Sequence, residues 1–133
     1  MPMQMGFRWY GEGNDRISLS DIRQIPGVST IVWALHDKLP GEIWQPEEIK
    51  TVVDQIEAAG FNADVVESVN VHDDIKIGLP TRDRYIDNYI QTIRNLAPFG
   101  AALVGMAVIA LPTGIITAAY MNEISRKKSK YEL

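Results

Sequence analysis

Thr30-Ile31-Val32-Trp33-Ala34-Leu35 is an unbroken apolar run after its first residue, and it is β-branched at its start. A strand wetted on one face alternates apolar and polar residues. One covered on both faces does not, and that is the habit of strands in parallel sheets. Downstream, a loop containing Pro40-Gly41 leads to Pro46-Glu47-Glu48, where proline and two acids suit a first helical turn. Ile49, Val52, Val53, Ile56 and Ala59 then recur at helical spacing, and Gly60 closes the helix. Ala63 to Val69 reads as a further strand. Thr81 is placed to cap a helix striped by Ile86, Tyr89, Ile90, Ile93 and Leu96. Upstream, Phe7-Arg8-Trp9-Tyr10 is a short strand ended by Gly11 and Gly13. Ser18 to Ile25 is a short helix, with Ser18 or Ser20 as N-cap and Pro26-Gly27 as its stop.

Strand–helix alternation in this order predicts an α/β fold, either a (β/α) barrel or a doubly wound sheet. No glycine-rich phosphate loop follows any strand: Gly11-Glu12-Gly13 lacks the third glycine and the helix behind it. Three βα units fall short of the eight that close a barrel.

The alternation stops near Leu96. Residues 1–95 hold 15 acidic and 9 basic side chains, a net charge of −6, whereas residues 96–133 carry a net +2. The acidic part offers no basic track for a phosphate backbone, which excludes nucleic acid as a partner. Between Arg94 and Glu123 no residue is charged. Ala101 to Met121 is apolar on every side, long enough to cross a bilayer, with Pro112 and Gly114 predicting a kink. Arg126-Lys127-Lys128 and Lys130 make a basic tail. The chain has no cysteine, hence no disulfide or thiolate metal site, and Met1-Pro2-Met3-Gln4-Met5-Gly6 does not read as a secretory signal. A cytoplasmic location is expected, with the membrane, through Ala101–Met121, as the alternative.

In a βα barrel, chemistry collects at the C-terminal ends of the strands. That rule selects Arg8 and Tyr10 after the first strand, His36 after the second, and Glu67, Ser68 and His72 at or after the third. Arg8, flanked by aromatics, needs an anionic partner: a sugar carboxylate held by two hydrogen bonds, or Glu67. His36 is either a substrate contact or a hydrogen-bonded structural histidine. His72-Asp73-Asp74 could imitate a metal cluster, but neighbours on one loop rarely converge on one ion, and a structural histidine is the stronger reading. Trp9, Trp33 and Trp44 are expected in the core rather than along a pocket. Tyr85 and Tyr89 read as packing, and Glu47-Glu48 and Asp87-Asn88 as solvated helix faces.

Several words of the first part are specific: Phe7-Arg8-Trp9-Tyr10-Gly11, Ile31-Val32-Trp33-Ala34-Leu35-His36, Gly41-Glu42-Ile43-Trp44, Val65 through Lys76, and Asn88 through Leu96. In this order and spacing they resemble the bacterial mannonate dehydratase family. The resemblance covers roughly residues 1–96. It implies a partial TIM-type barrel and a hydro-lyase that converts D-mannonate to 2-dehydro-3-deoxy-D-gluconate, in hexuronate catabolism, with Mn2+ or Fe2+. On such a barrel the strand-end rule puts Arg8, Tyr10, His36, Glu67, Ser68 and His72 on the substrate side. The family's His, Cys and Asp metal ligands come from a second half with no counterpart beyond Ala97. No catalytic or metal-binding residue is therefore assigned, and the chain by itself is expected to be inactive.

Residues 97–133 form a second expected unit. Ile109-Ala110-Leu111-Pro112-Thr113-Gly114-Ile115-Ile116, followed by Met121-Asn122-Glu123, resembles the pore-lining last helix of bacterial voltage-gated potassium channels. The expectation is three βα units followed by a kinked hydrophobic helix over Ala101–Met121. The third strand would then have an unpaired edge, and self-association would follow.

Overall fold

The computed structural model describes residues 3–103. Four strands, β1 (Met5–Arg8), β2 (Val28–Trp33), β3 (Asn62–Val66) and β4 (Ala102–Leu103), pair in parallel and in chain order, β1-β2-β3-β4. A doubly wound sheet reverses its strand order at a switch point. Among the described residues no such reversal occurs.

Residues paired across a parallel ladder share a face. Ile31, Trp33 and Val66 lie on one face and are fully buried. Arg8, Val32 and Val65 share the opposite face and are only half-buried. Thr30 and Ala34, on either side of Val32 along that face, are nonetheless buried at 3% and 8% exposure, so the run over residues 30–35 is covered on both faces, as its composition predicted, and least completely at Val32.

Four helices connect the strands: α1 (Leu19–Ile22), α2 (Pro46–Ala58), α3 (Asp73–Ile77) and α4 (Arg82–Leu96). Ser18 caps α1 through a reciprocal bond with Asp21: the Ser18 hydroxyl accepts from Asp21 N at 3.1 Å, and Asp21 Oδ2 accepts from Ser18 N at 2.9 Å. The helix ends at Ile22, earlier than Ile25, because the chain then runs into Pro26-Gly27. In α2, Pro46 occupies the first turn and the Glu48 carboxylate accepts from Gln45 N at 3.0 Å. Ile49, Val53 and Ile56 bury its inner stripe among the core residues, beside Ile22, Trp33, Val66, Tyr89 and Leu96. All three tryptophans are in this core, as expected: Trp9 is 4% exposed, Trp33 0% and Trp44 3%. Trp33 Nε1 donates to the Ala63 carbonyl at 2.8 Å, which satisfies its buried N–H.

The expected third strand over Ala63–Val69 is shifted to Asn62–Val66. Past its end, the Val65–Lys76 segment contains a helix that periodicity did not reveal. The His72 imidazole caps α3, with Nδ1 accepting from Asp74 N at 3.1 Å, and Gly78 ends it in the left-handed region. Thr81 holds the N-cap position of α4 without capping it, because its hydroxyl bonds the Asp74 carboxylate. On α4 the deepest position is Thr92, fully buried, while Ile90 of the expected apolar stripe is exposed.

The largest correction falls at the end of the described chain. A helix was expected to begin at Ala101, but Ala102–Leu103 is a strand that pairs Val65 with Ala102 and Val66 with Leu103. β3 therefore has partners on both sides, and the unpaired edge behind the expected self-association is absent. The remainder of Ala101–Met121, including the channel-like motif and the predicted kink, lies outside the described residues. Among those described, no helix is long and apolar enough to cross a membrane.

Candidate functional site

Parallel strands end on one edge of the sheet, so the residues that leave β1, β2 and β3 emerge together. Arg8 is the last residue of β1, His36 lies three residues beyond β2, and Glu67 directly follows β3. Arg8 Nη1 meets Glu67 Oε2 at 3.0 Å. The Arg8 guanidinium carbon sits 5.0 Å from the centre of the Tyr10 ring, within cation–π range. The Tyr10 and His36 rings are 5.2 Å apart and tilted by 42°. Four of the six candidate residues are thus brought into one cluster at the strand ends: Glu67, Arg8, Tyr10 and His36, in contact order.

This cluster has donors to spare. Arg8 Nε is buried and finds no acceptor, although Nη1 is engaged by Glu67. A guanidinium has five N–H groups in a fixed fork, and a carboxylate beside it can take two of them at once. His36 has an exposed edge, yet its pKa is held below the usual histidine value of 6.5, first by partial burial and then by the Arg8 charge. It is therefore neutral at pH 7 and offers one donor and one acceptor.

A loop that sequence reading passed over steadies this group. Asp15 Oδ2 accepts from Tyr10 N at 3.1 Å and its Oδ1 accepts from Ile17 N at 3.0 Å, which lowers the Asp15 pKa. Asn14 Nδ2 donates to Asp37 Oδ1 at 3.3 Å, joining this loop to the residue after His36. The signal available in the sequence was the turn-forming Gly11 to Asp15 itself, where an aspartate commonly binds backbone two residues on.

The other two candidates stand apart from the Arg8 group. The Ser68 hydroxyl bonds Asn70 Oδ1 at 3.1 Å. His72 belongs to a second hollow, a cleft of about 710 Å³ between the loop after β2 and helices α3 and α4. There its ring stacks on Tyr85 at 3.6 Å, with only 8° between the planes. Gly41, at φ +90°, presses against both rings: a β-carbon there would sit 2.5 Å from Tyr85 Cδ1 and 2.9 Å from His72 Cδ2. Tyr85 is therefore a cleft wall as well as a packing residue.

Three polar residues of α4 hold the loop in place. Asn88 Nδ2 donates to the Gly41 carbonyl at 2.8 Å, Thr92 Oγ1 accepts from Trp44 N at 3.1 Å, and Asn95 Nδ2 donates to the Trp44 carbonyl at 2.8 Å. Positions i, i+4 and i+7 share one helix face. Asn88 is thus a structural ligand of the loop and not part of a solvated face. Glu48 also departs from expectation, since Lys38 Nζ lies 2.7 Å from its carboxylate and holds its pKa low together with the Gln45 N–H.

Among the described residues there is no group of three or more His, Cys, Asp or Glu side chains able to hold a metal ion. Asp73 pairs with Lys76 at 2.9 Å, and Asp74 serves Thr81, so the His72-Asp73-Asp74 triplet does not converge on a common point.

A family model described as D-mannonate dehydratase (UxuA) matches residues 3–113. The chain belongs to the D-mannonate dehydratase family. The match runs through β4 and past Ala97, where the sequence reading placed the end of the likeness. Relatives of known designation include a mannonate dehydratase of Shouchella clausii, 59% identical over 102 residues, and mannonate dehydratase 1 of Bacillus licheniformis, 61% identical over 102 residues. In both cases the match covers 77% of this chain and 28% of the relative. The crystal structure of mannonate dehydratase from Streptococcus suis serotype 2 superposes with a TM-score of 0.74 at 41% identity, over 77% of this chain and 30% of that one. The chain thus spans under a third of the length of the mannonate dehydratases it matches.

Proposed function

We propose that residues 3–103 form the first arc of a (β/α) barrel and supply the wall that recognises the carboxylate end of D-mannonate during its dehydration to 2-dehydro-3-deoxy-D-gluconate. The observation that carries this reading is the Arg8 cluster: a guanidinium with an unsatisfied buried N–H, set among strand-end residues of a family member. Strand order without reversal supports the barrel arc.

The chemistry defines what such a wall must do. A proton leaves C2, beside the carboxylate, and hydroxide departs from C3 with a proton as water. The resulting enol then tautomerises to the 2-keto acid. The proton at C2 is only weakly acidic while the neighbouring carboxylate is free, and a cation bound to that carboxylate stabilises the charge that develops as the proton departs. Arg8 would fix the carboxylate, Glu67 would hold the Arg8 fork in orientation, and neutral His36 would bind a substrate hydroxyl. Mn2+ or Fe2+, which the family resemblance implies, would supply Lewis-acid polarisation of substrate oxygens. The described residues do not fit such an ion, so the part assigned to this chain is recognition.

Calorimetry with D-mannonate on the 133-residue chain tests the proposal. Arg8→Lys keeps the charge but loses the fork, and binding should weaken about tenfold. Unchanged affinity in that variant overturns the assignment of Arg8. The chain alone, with Mn2+ added, should form no 2-dehydro-3-deoxy-D-gluconate, and turnover by material free of any full-length enzyme would overturn the restriction to recognition.

A further inference from the structure

The cleft beside α4 has features that packing does not require. Most charged groups along it are already engaged. Lys38 pairs with Glu48 at 2.7 Å, Asp73 pairs with Lys76 at 2.9 Å, and the Glu42 carboxylate accepts from Leu39 N at 2.8 Å. Arg84 is the lining cation that forms no ion pair among the described residues. It lies over the Tyr85 ring with its guanidinium carbon 5.6 Å from the centroid.

The second feature is the His72 tautomer. Because Nδ1 accepts a backbone N–H at 3.1 Å, the proton of the neutral ring must reside on Nε2. Nε2–H has no protein acceptor among the described residues, and the residue lines the cleft. The ring cannot turn away, since Tyr85 stacks on it and Gly41 abuts both. Asn88 in turn fixes Gly41 through its carbonyl. A free cation and a free, rigid N–H donor thus flank one aromatic wall, and donors held in place before binding avoid the entropy of ordering them.

We propose that this cleft is a second binding site, for a small polyhydroxy carboxylate, with Arg84 receiving the carboxylate and His72 Nε2–H donating to a hydroxyl. The site does not include Arg8, His36 or Glu67, so it stands or falls separately from the cluster at the strand ends. A net-neutral polyol lacks the group that Arg84 would bind, and a simple anion lacks the hydroxyls that His72 would reach.

The test is an NMR titration of the isotope-labelled 133-residue chain with sodium D-gluconate at constant ionic strength. Resonances of His72, Tyr85 and Arg84 should shift together in a saturable manner. The long-range pattern of the His72 ring should report the Nε2–H tautomer. Arg84→Ala, at an exposed position that leaves the fold intact, should weaken the affinity about tenfold, as expected for loss of a charge-assisted pair. His72→Gln, with folding checked by circular dichroism, should weaken it several-fold, and Arg8→Ala should leave these shifts unchanged. D-glucitol should produce no saturable shift. Identical titrations in wild type and Arg84→Ala would overturn the proposal. So would equal competition by inorganic phosphate, which would reduce the site to non-selective anion attraction, or loss of the shifts in Arg8→Ala, which would assign them to the strand-end cluster.

Discussion

Arg8 Nη1 and Glu67 Oε2, 3.0 Å apart, tie the end of β1 to the end of β3 across the intervening β2. Both side chains are partly open to solvent, 29% and 46% exposed, so water screens the pair. Glu67→Gln should therefore change global stability by no more than about 1 kcal/mol in urea denaturation. A loss of roughly 3 kcal/mol or more would show that the pair behaves as a buried one, whose breakage strands a charge.

His36 gives the fold a pH dependence whose sign follows from its depressed pKa. Above 6.5, the unfolded value, the ring is neutral in both states and contributes nothing. As the pH falls below 6.5 the unfolded chain takes up the proton first, so stability declines until the pH has passed below the folded value. Denaturation midpoints at pH 7.5 and 5.5 should differ less in His36→Gln than in wild type. Arg8→Met should raise the His36 pKa part of the way toward 6.5 in an NMR titration, since burial, the larger cause, persists.

Gly41→Ala meets two obstacles at once, a left-handed backbone at φ +90° and two rings inside the volume of a methyl group. The expected destabilisation is about 1–3 kcal/mol by urea unfolding. The stacked His72 and Tyr85 resonances should move in the same variant. A stability equal to wild type with those rings undisturbed would contradict the packing described.

Thr92→Val preserves shape while removing the acceptor for Trp44 N, deep in the core. An orphaned buried N–H costs about 1–3 kcal/mol, and Thr92→Ser should recover much of it by restoring the hydroxyl. Equal unfolding midpoints for the valine and serine variants would exclude the hydrogen bond as the cause.

The strands were legible because β-branched runs such as residues 30–32 leave few alternatives, and α2 because its apolar spacing and terminal residues agree with each other. The rule that chemistry collects at strand ends placed Arg8, Tyr10, His36 and Glu67 on one edge, and the geometry unites them. What stayed hidden depended on partners distant in sequence. Asn88, Thr92 and Asn95 look like ordinary polar helix residues, and nothing local tells that they bind a loop 47 to 51 positions away. The short α3 was lost because five residues cannot display a period, although Asp73 and Asp74 ahead of Gly78 were a usable cue. The strand Ala102–Leu103 was misjudged for a different reason. An apolar run suits a buried parallel strand and a lipid-facing helix equally well until a pairing partner such as Val65 is known.

The three α4 side chains that hold the loop grip it by hydrogen bonds to main-chain atoms of Gly41 and Trp44. Such a grip is indifferent to what the loop carries. Leu39, Pro40 and Ile43 should therefore accept exchange for other residues while the rim of the cleft keeps its path, so selectivity at this mouth is open to redesign without refolding the scaffold, provided that Gly41, Glu42 and the buried Trp44 are kept.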